Sequence, residues 1–379
     1  MKLTNFDADA FLRDYWQMRP LLIRNPWDAW QNPLEPDELA GLACEDGIES
    51  RLVERAGEAW NTEQGAFPER RFGALREANW TLLVQAVDQF MPAVAALIEP
   101  FRFVPDWRID DVMVSVAATG GGVGPHFDQY DVFLVQGLGQ RRWRLGAKGD
   151  ADSPLLLHGD LRLLADFETL EEHVLGPGDI LYVPPGFAHD GIAESDDCMT
   201  YSIGFRAPSR SELVAHFADH VLESLEDDDR YADPDLIRPA NPGEIAPAAI
   251  ARLHAMITES LLDGDAFARW LGAYVTAPKY PDLDWTPEQS LPQDALHDQL
   301  AAGASLHRSA ASRFSFIRQD SGVLLFVDGQ TYPCAGAVAQ FAETLCAQTS
   351  TMVAANDLQS PDVMDLLATL YARGSVSLD

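Results

Sequence analysis

The sequence predicts an α+β chain: a β-sandwich or barrel, then a helical unit, then a winged-helix-like unit. Three observations lead there. From about Phe103 to Phe205, short apolar runs alternate with Gly- and Pro-rich turns, the pattern of strands in a sandwich or barrel. From about Pro208 to Thr276 the apolar period changes to that of helices. From about Tyr280 onward the order is helix, hairpin, helices. At 379 residues the chain is too long for one ordinary domain. The expected division is 1–207, 208–279 and 280–379.

The first zone opens with a helix over Asp9–Met18, ending before Pro20. Asp111–Val116 reads as a strand, Thr119–Pro125 as a glycine-rich loop, and Tyr130–Gln136 as a second strand. Gly137–Gly139 is the expected turn into Arg141–Leu145. Gly176–Asp179 turns into Ile180–Val183, Pro184–Gly186 breaks that strand, and Met199–Phe205 makes another. In the second zone Ser209 and Ser211 are N-cap candidates, with Glu212 following closely. Leu213, Phe217, His220, Val221 and Leu225 follow at helical spacing, and the acidic run Glu226–Asp229 closes the helix. A Pro-rich connector, Asp233–Pro247, leads to a helix with Leu253, Met256, Ile257, Leu261 and Leu262 on one face, then to a helix over Ala266–Val275. So wide an apolar face is expected to pack on the barrel or on another subunit. In the third zone a helix over Gln293–Ala301 precedes strands Ser312–Arg318 and Val323–Val327. Helices over Gly336–Ala347 and Pro361–Ala372 and a short strand complete the chain.

Composition excludes several function classes. Lys+Arg 27 against Asp+Glu 59 gives a net charge of -32, which opposes binding to a phosphate backbone or an anionic membrane. The third zone carries only Arg308, Arg313, Arg318 and Arg373 as basic residues against twelve acids, so its winged-helix order does not imply DNA. Solubility or an acidic host proteome explains the charge; so does a basic partner. Cys44, Cys198, Cys334 and Cys346 are widely spaced with no CxxC pair, which suits a reducing compartment. The first residues lack a signal-peptide pattern and no apolar run is of membrane-spanning length. A cytoplasmic protein is expected.

The chemistry is concentrated in two segments. In Gly124-Pro125-His126-Phe127-Asp128, His126 and Asp128 stand at i and i+2, on the same side of an extended chain. In Gly176–His189, the pattern PGD, strand, PPG leads to His189, 63 residues after His126. Two His and one carboxylate on a β scaffold make a facial triad with open positions, suited to non-haem Fe(II). Such a site needs an electron-supplying co-substrate to use dioxygen. 2-Oxoglutarate does this, and its far carboxylate needs a buried cation. Arg141 is the candidate, with a bidentate fork. Alternation puts Arg141 and Trp143 on one side and Arg142 and Arg144 on the other. Ser115, Thr200 and Ser202 are strand hydroxyls able to meet co-substrate or substrate, or simply satisfied strand hydroxyls. Asp110, Asp111, Tyr130 and Asp131 could pair with or stack on a substrate guanidinium, or be structural.

At these residues the sequence resembles a known family. GGGVGPHFDQYDVFLVQGLGQRRWRLG and PGDILYVPPGFAHDG, followed by YSIGFRAPSR, are similar to the bacterial ribosomal oxygenases of the Jumonji-C superfamily, and FLRDYWQMRPLLIRN resembles that family's opening. The resemblance implies a double-stranded β-helix (a cupin-like jelly roll) holding Fe(II), with 2-oxoglutarate as co-substrate and dioxygen as oxidant. It implies a helical dimerisation domain and a C-terminal winged helix. Bacterial members hydroxylate an arginine β-carbon in a basic large-subunit ribosomal protein, with decarboxylation of 2-oxoglutarate to succinate. Carried over by position, His126, Asp128 and His189 are the iron ligands and Arg141 the 2-oxoglutarate anchor. Gln140 departs from the family's longer arginine run. Two other readings share the motif: a Jumonji-C demethylase, and a non-oxygenase metal-dependent cupin or sensor.

Overall fold

Among the described residues, the alternating segments of the first 207 fold as thirteen strands. They are β1 (Leu21–Ile23), β2 (Ser50–Ala56), β3 (Ala59–Gln64), β4 (Trp80–Val84), β5 (Ile109–Ala117), β6 (Asp131–Leu138), β7 (Arg141–Lys148), β8 (Leu155–His158), β9 (Leu161–Leu164), β10 (Glu171–Leu175), β11 (Ile180–Val183), β12 (Phe187–Ala193) and β13 (Cys198–Phe205). The computed structural model describes residues 1–150, 152–158, 161–226, 228–238, 240–289 and 291–379. Asp227 of the acidic run and Pro239 of the connector lie outside the described residues. The chain divides into two compact units, Met1–Ala207 and Pro208–Asp379.

In the first unit an eight-stranded sheet runs β1-β11-β6-β13-β5-β4-β2-β3, a second sheet runs β10-β7-β12, and β8 pairs with β9. Alternation along the strands explains two faces. On β5, Val112, Val114 and Val116 enter the larger core, which also holds Phe11, Leu39, Val94, Phe101, Phe133 and Tyr182. On the opposite face, Val132, Leu134, Leu181 and Val183 of the large sheet pack against Trp143, Leu145 and Leu175 of the small one. Two antiparallel sheets closed over a shared interior make the double-stranded β-helix, and that interior is where the site lies.

The first helix, α1 (Ala8–Asp14), is shorter than the sequence predicts. Tertiary bonds take over: Gln17, at φ 58°, donates its N–H to Tyr182 Oη at 2.7 Å and its side-chain amide to Asp131 at 2.9 Å. The turn expected at Gly137–Gly139 comes later, because β6 continues to Leu138 and Gly139 takes φ 62°. The short helices α2 (Pro36–Leu42) and α3 (Pro92–Ala95) cover the larger core.

The second unit holds α4 (Arg210–Ser224), α5 (Pro247–Leu261), α6 (Gly264–Thr276) and α7 (Gln293–Ala301). Ser209 caps α4 in a capping box with Glu212. Phe217 and Val221 of α4 pack with Trp270 of α6, while none of α5 is buried. Strands β14 (Leu306–Arg308), β15 (Phe314–Gln319), β16 (Gly322–Val327), β17 (Gln330–Cys334), β18 (Ser350–Thr351) and β19 (Val376–Leu378) form two three-stranded sheets. They pack with α8 (Ala337–Ala347), α9 (Ala355–Leu358) and α10 (Pro361–Ala372) around one core. Gly272 lets α6 approach Phe326, on the face of β16 opposite to Val323, Leu325 and Val327 of this core, since a Cβ there would lie 2.4 Å from the ring. The four cysteines are free. Among the described residues, no helix is long and apolar enough to cross a membrane.

Candidate metal centre

His126 and His189 come together through a backbone exchange. His126 N donates to His189 O at 3.0 Å, and His189 N donates to His126 O at 2.8 Å. The loop before His126 is shaped by glycine. Gly124 has φ 80°, and a Cβ there would meet Leu163 at 2.9 Å and Trp60 at 3.0 Å. The PPG turn then braces the third residue, with Gly186 N donating to Asp128 O at 2.7 Å. One Asp128 carboxylate oxygen lies 3.8 Å from His126 Nε2 and 3.6 Å from His189 Nε2. The three ligand atoms all lie within 4.8 Å of one another.

The two imidazoles are oriented alike. Each lies with Nδ1 against the carbonyl two residues before it: His126 on Gly124 O at 2.9 Å and His189 on Phe187 O at 3.0 Å. A carbonyl only accepts, so Nδ1 carries the proton and Nε2 keeps its lone pair toward Asp128. Burial, with help from His126, pushes the His189 pKa down to about 4, so its ring is neutral at physiological pH. Two imidazole nitrogens and a carboxylate, with no fourth protein ligand among the described residues, fit a divalent ion with open coordination positions.

Register extends the site along the small sheet. Leu145, Trp143 and Arg141 pair with His189, Gly191 and Ala193, so Arg141 shares the inner face with His189 about 13 Å along the strand. Arg141 is 5% exposed. Its Nε donates to Cys198 Sγ at 3.5 Å, and its Nη2 is buried without a hydrogen-bond partner. A buried guanidinium with an unsatisfied N–H is prepared for an anion. Arg142 instead faces Glu172 and Glu194, and Arg144 pairs with Asp190.

The strand hydroxyls divide. Ser115 and Thr200 are buried and directly opposite one another across β5 and β13. Thr200 Oγ1 donates to Gln136 Oε1 at 3.2 Å. Ser202 is half-buried, opposite Leu134 and Met113. Sequence reasoning missed Gln136 and Cys198, both fully buried on this inner face. Alternation from Leu134 and from Thr200 is the signal that reaches them.

Two of the proposed substrate contacts serve the scaffold instead. Asp131 has no exposed surface and accepts from Tyr182 Oη at 2.6 Å, Gln17 at 2.9 Å and Arg108 at 3.0 Å. Burial pushes its carboxyl up despite these donors. Asp111 is buried and accepts the N–H of Ala86 at 2.9 Å, holding a left-handed backbone turn. Neither is open to an incoming side chain. Asp110 pairs with Arg206 at 3.0 Å. Tyr130 is 43% exposed and lies just before β6 rather than in it.

Comparison with known proteins agrees with this arrangement. The JmjC domain family matches residues 96–213, and the ROXA-like winged helix family matches residues 258–377. The chain is 38% identical over 367 residues to the ribosomal protein uL16 3-hydroxylase of Escherichia coli K12, spanning 96% of this chain and 95% of that one. The X-ray structure of E. coli YcfD aligns over the whole of both chains with a TM-score of 0.90 at 36% identity. YcfD, a ribosomal oxygenase, in complex with cobalt and 2-oxoglutarate aligns with a TM-score of 0.87 at 36% identity, covering 100% of this chain and 99% of that one. With an end-to-end likeness of this degree, the chain belongs to the ribosomal oxygenases, enzymes that join a JmjC oxygenase domain to a ROXA-like winged helix.

Proposed function

We propose that the enzyme is an Fe(II)- and 2-oxoglutarate-dependent hydroxylase acting on the β-carbon of an arginine in a basic large-subunit ribosomal protein. The observation that carries this reading is the pairing of a His-Asp-His cluster with a buried, anion-seeking Arg141 on one inner face. The relative named for 3-hydroxylation of uL16 supports the substrate class. The cobalt and 2-oxoglutarate complex of YcfD supports the co-substrate.

His126, Asp128 and His189 would hold the metal, and Arg141 the far carboxylate of 2-oxoglutarate. The separation of about 13 Å along β7 is spanned by an arginine side chain and a short dicarboxylate. Bound there, Fe(II) supplies the activation of dioxygen, coupled to decarboxylation of 2-oxoglutarate to succinate. The protein orients its two imidazoles through Gly124 O and Phe187 O and keeps His189 neutral as a ligand. The apolar walls formed by Trp143 and Leu145 exclude water from the interior. Exposed Tyr130 and half-buried Asp110, both close in sequence to the site's segments, remain the candidates for a substrate guanidinium.

The remaining features complete the proposal. The apolar residues Ile250, Leu253, Met256, Ile257 and Leu261 on α5 are exposed, which supports a homodimer formed through residues 208–279. The acidic 280–379 region, holding the winged helix, supports a protein contact rather than a DNA contact. The enzyme works where ribosomes are made, in the cytoplasm. The decisive test incubates it with Fe(II), 2-oxoglutarate and ribosomal proteins. The expected result is gain of one oxygen atom on an arginine with matching succinate. Succinate absent under every condition overturns the oxygenase chemistry, and formaldehyde release from a methylated lysine favours the demethylase reading.

A further inference from the structure

Arg141 is not held by an acid. Among the described residues it makes no ion pair, although the chain is rich in carboxylates. Its one hydrogen bond goes to sulfur, a weak acceptor: Nε to Cys198 Sγ at 3.5 Å. The same sulfur takes a second N–H, from Gln136 Nε2 at 3.4 Å. Gln136 is itself locked at both ends. Nε2 donates to Leu138 O at 2.7 Å, which fixes the sense of the amide, and Oε1 therefore faces the Thr200 hydroxyl at 3.2 Å. The chain of contacts Thr200–Gln136–Cys198–Arg141 crosses β13, β6 and β7, and all four residues are buried.

This arrangement has a physical consequence. A carboxylate at position 136 or 198 would pair with the guanidinium and compete with an incoming acid. The Cys198 sulfur, itself held by the neutral Gln136 amide, fixes one edge of Arg141 and leaves its charge uncompensated. Thr200 has its proton committed to Gln136, so it can accept from a ligand but does not donate to a carboxylate while that bond stands. The carboxylate is left to the N–H groups of Arg141 that Cys198 does not take, Nη2 among them.

We propose that Gln136 and Cys198 are positioning residues that hold Arg141 by one edge through neutral contacts, and so set both the affinity and the length of the dicarboxylate co-substrate. This rests on the reading of the site as a 2-oxoglutarate site. Arg141 held rigidly at a fixed distance from the metal ligands accepts one chain length. Arg141 released from Cys198 swings and tolerates a longer one.

The test uses the full-length protein with Mn(II) in place of Fe(II), and calorimetric titration with 2-oxoglutarate and with 2-oxoadipate, its one-methylene homologue. Gln136→Met keeps the volume and removes the amide; Cys198→Ala removes the sulfur; Cys198→Ser restores an acceptor. The expected result is about tenfold weaker 2-oxoglutarate binding in Gln136→Met and Cys198→Ala, equivalent to about 1.4 kcal/mol. Cys198→Ser should lie between Cys198→Ala and the parent. Discrimination against 2-oxoadipate should shrink in the two weakened variants, while Mn(II) affinity stays within about twofold. In turnover, KM for 2-oxoglutarate should rise more than kcat falls. Binding and discrimination both unchanged in Gln136→Met and Cys198→Ala overturns the proposal, as does parallel loss of Mn(II) affinity, which marks general collapse. If Gln136→Met does not fold, the Cys198 pair decides by the same criteria. If the parent protein with Mn(II) binds no 2-oxoglutarate, the co-substrate assignment fails instead.

Discussion

At the residue scale, each ligand candidate is defined by what its other atoms are doing. The Nδ1 atoms of His126 and His189 are engaged by carbonyls, so both rings can turn only Nε2 to an ion. Replacing His126 or Asp128 by Ala should therefore abolish succinate formation, with the far-UV circular dichroism of the fold retained; full activity in either variant removes it from the ligand set. Arg141 offers a different signature. Arg141→Ala should raise the 2-oxoglutarate concentration needed for half-maximal turnover about a hundredfold, corresponding to about 3 kcal/mol, because a charge-assisted bidentate contact is lost. Arg141→Lys should recover only part of this, since a point charge lacks the fork. An unchanged requirement in Arg141→Ala would move the anchor elsewhere. The clustering of His126, Asp128 and His189 and the inward face of Arg141 were legible in sequence because each sits in a local pattern: H-x-D, PGD to His, and strand alternation. Gln136 and Cys198 were not, because Cys198 meets Arg141, and Gln136 meets Cys198, only through cross-strand register, which a single segment does not carry. For Asp131 and Asp111 the sequence left a substrate contact and a structural role open, for the complementary reason. Proximity to His126 or to β5 in sequence says nothing of burial, and both carboxylates turn into the scaffold.

At the element scale, what was legible followed periodicity and what was missed broke it. β11 reads as four successive buried apolar residues, and α7 and α10 match their apolar spacing from end to end. β12, which carries His189, has the sequence FAHDGIA. Its polar centre hides a strand, because His189 faces the interior while Asp190 pairs with Arg144 on the other side. The helix α1 was overestimated because Gln17 and Tyr182 bond across the fold, a contact invisible to local propensity. The glycine loop before His126 joins local geometry to chemistry. Gly124→Ala must place a Cβ at φ 80° and against Trp60 and Leu163, and Gly124 O holds the His126 ring. The substitution should cost about 1–2 kcal/mol of stability and weaken metal affinity by about tenfold. Thermal unfolding and Mn(II) titration read the two effects separately; a loss of stability with metal affinity unchanged would detach the loop from the site. At the start of the second unit, Ser209→Ala removes the α4 capping box and should cost about 1 kcal/mol with no effect on metal binding.

At the scale of the whole molecule, the second unit's exposed apolar surface and the total charge ask for partners of opposite kinds. On α5, Ile257 is 64% exposed, and Leu262 at its end is 78% exposed. An apolar face of this kind on an otherwise charged protein is suited to a second copy. Ile257→Asp together with Leu253→Asp should convert a dimer into a monomer by light scattering, and a dimer that persists places the interface on another face. The charge of -32 asks for something basic. If the acidity serves encounter with a ribosomal protein, long-range attraction raises the association rate, and salt must suppress it. The expected outcome is an association rate constant that falls about tenfold or more as ionic strength rises until the Debye length shrinks to a few ångströms, with dissociation changing less. Stopped-flow binding to the isolated ribosomal substrate measures both. Neutralising acids in the 280–379 region, which has four basic residues against twelve acidic, should lower the rate at low salt and leave the high-salt rate unaltered. A rate independent of salt would assign the acidity to solubility or to the host's proteome, and would leave recognition to the contacts at the mouth of the β-helix alone.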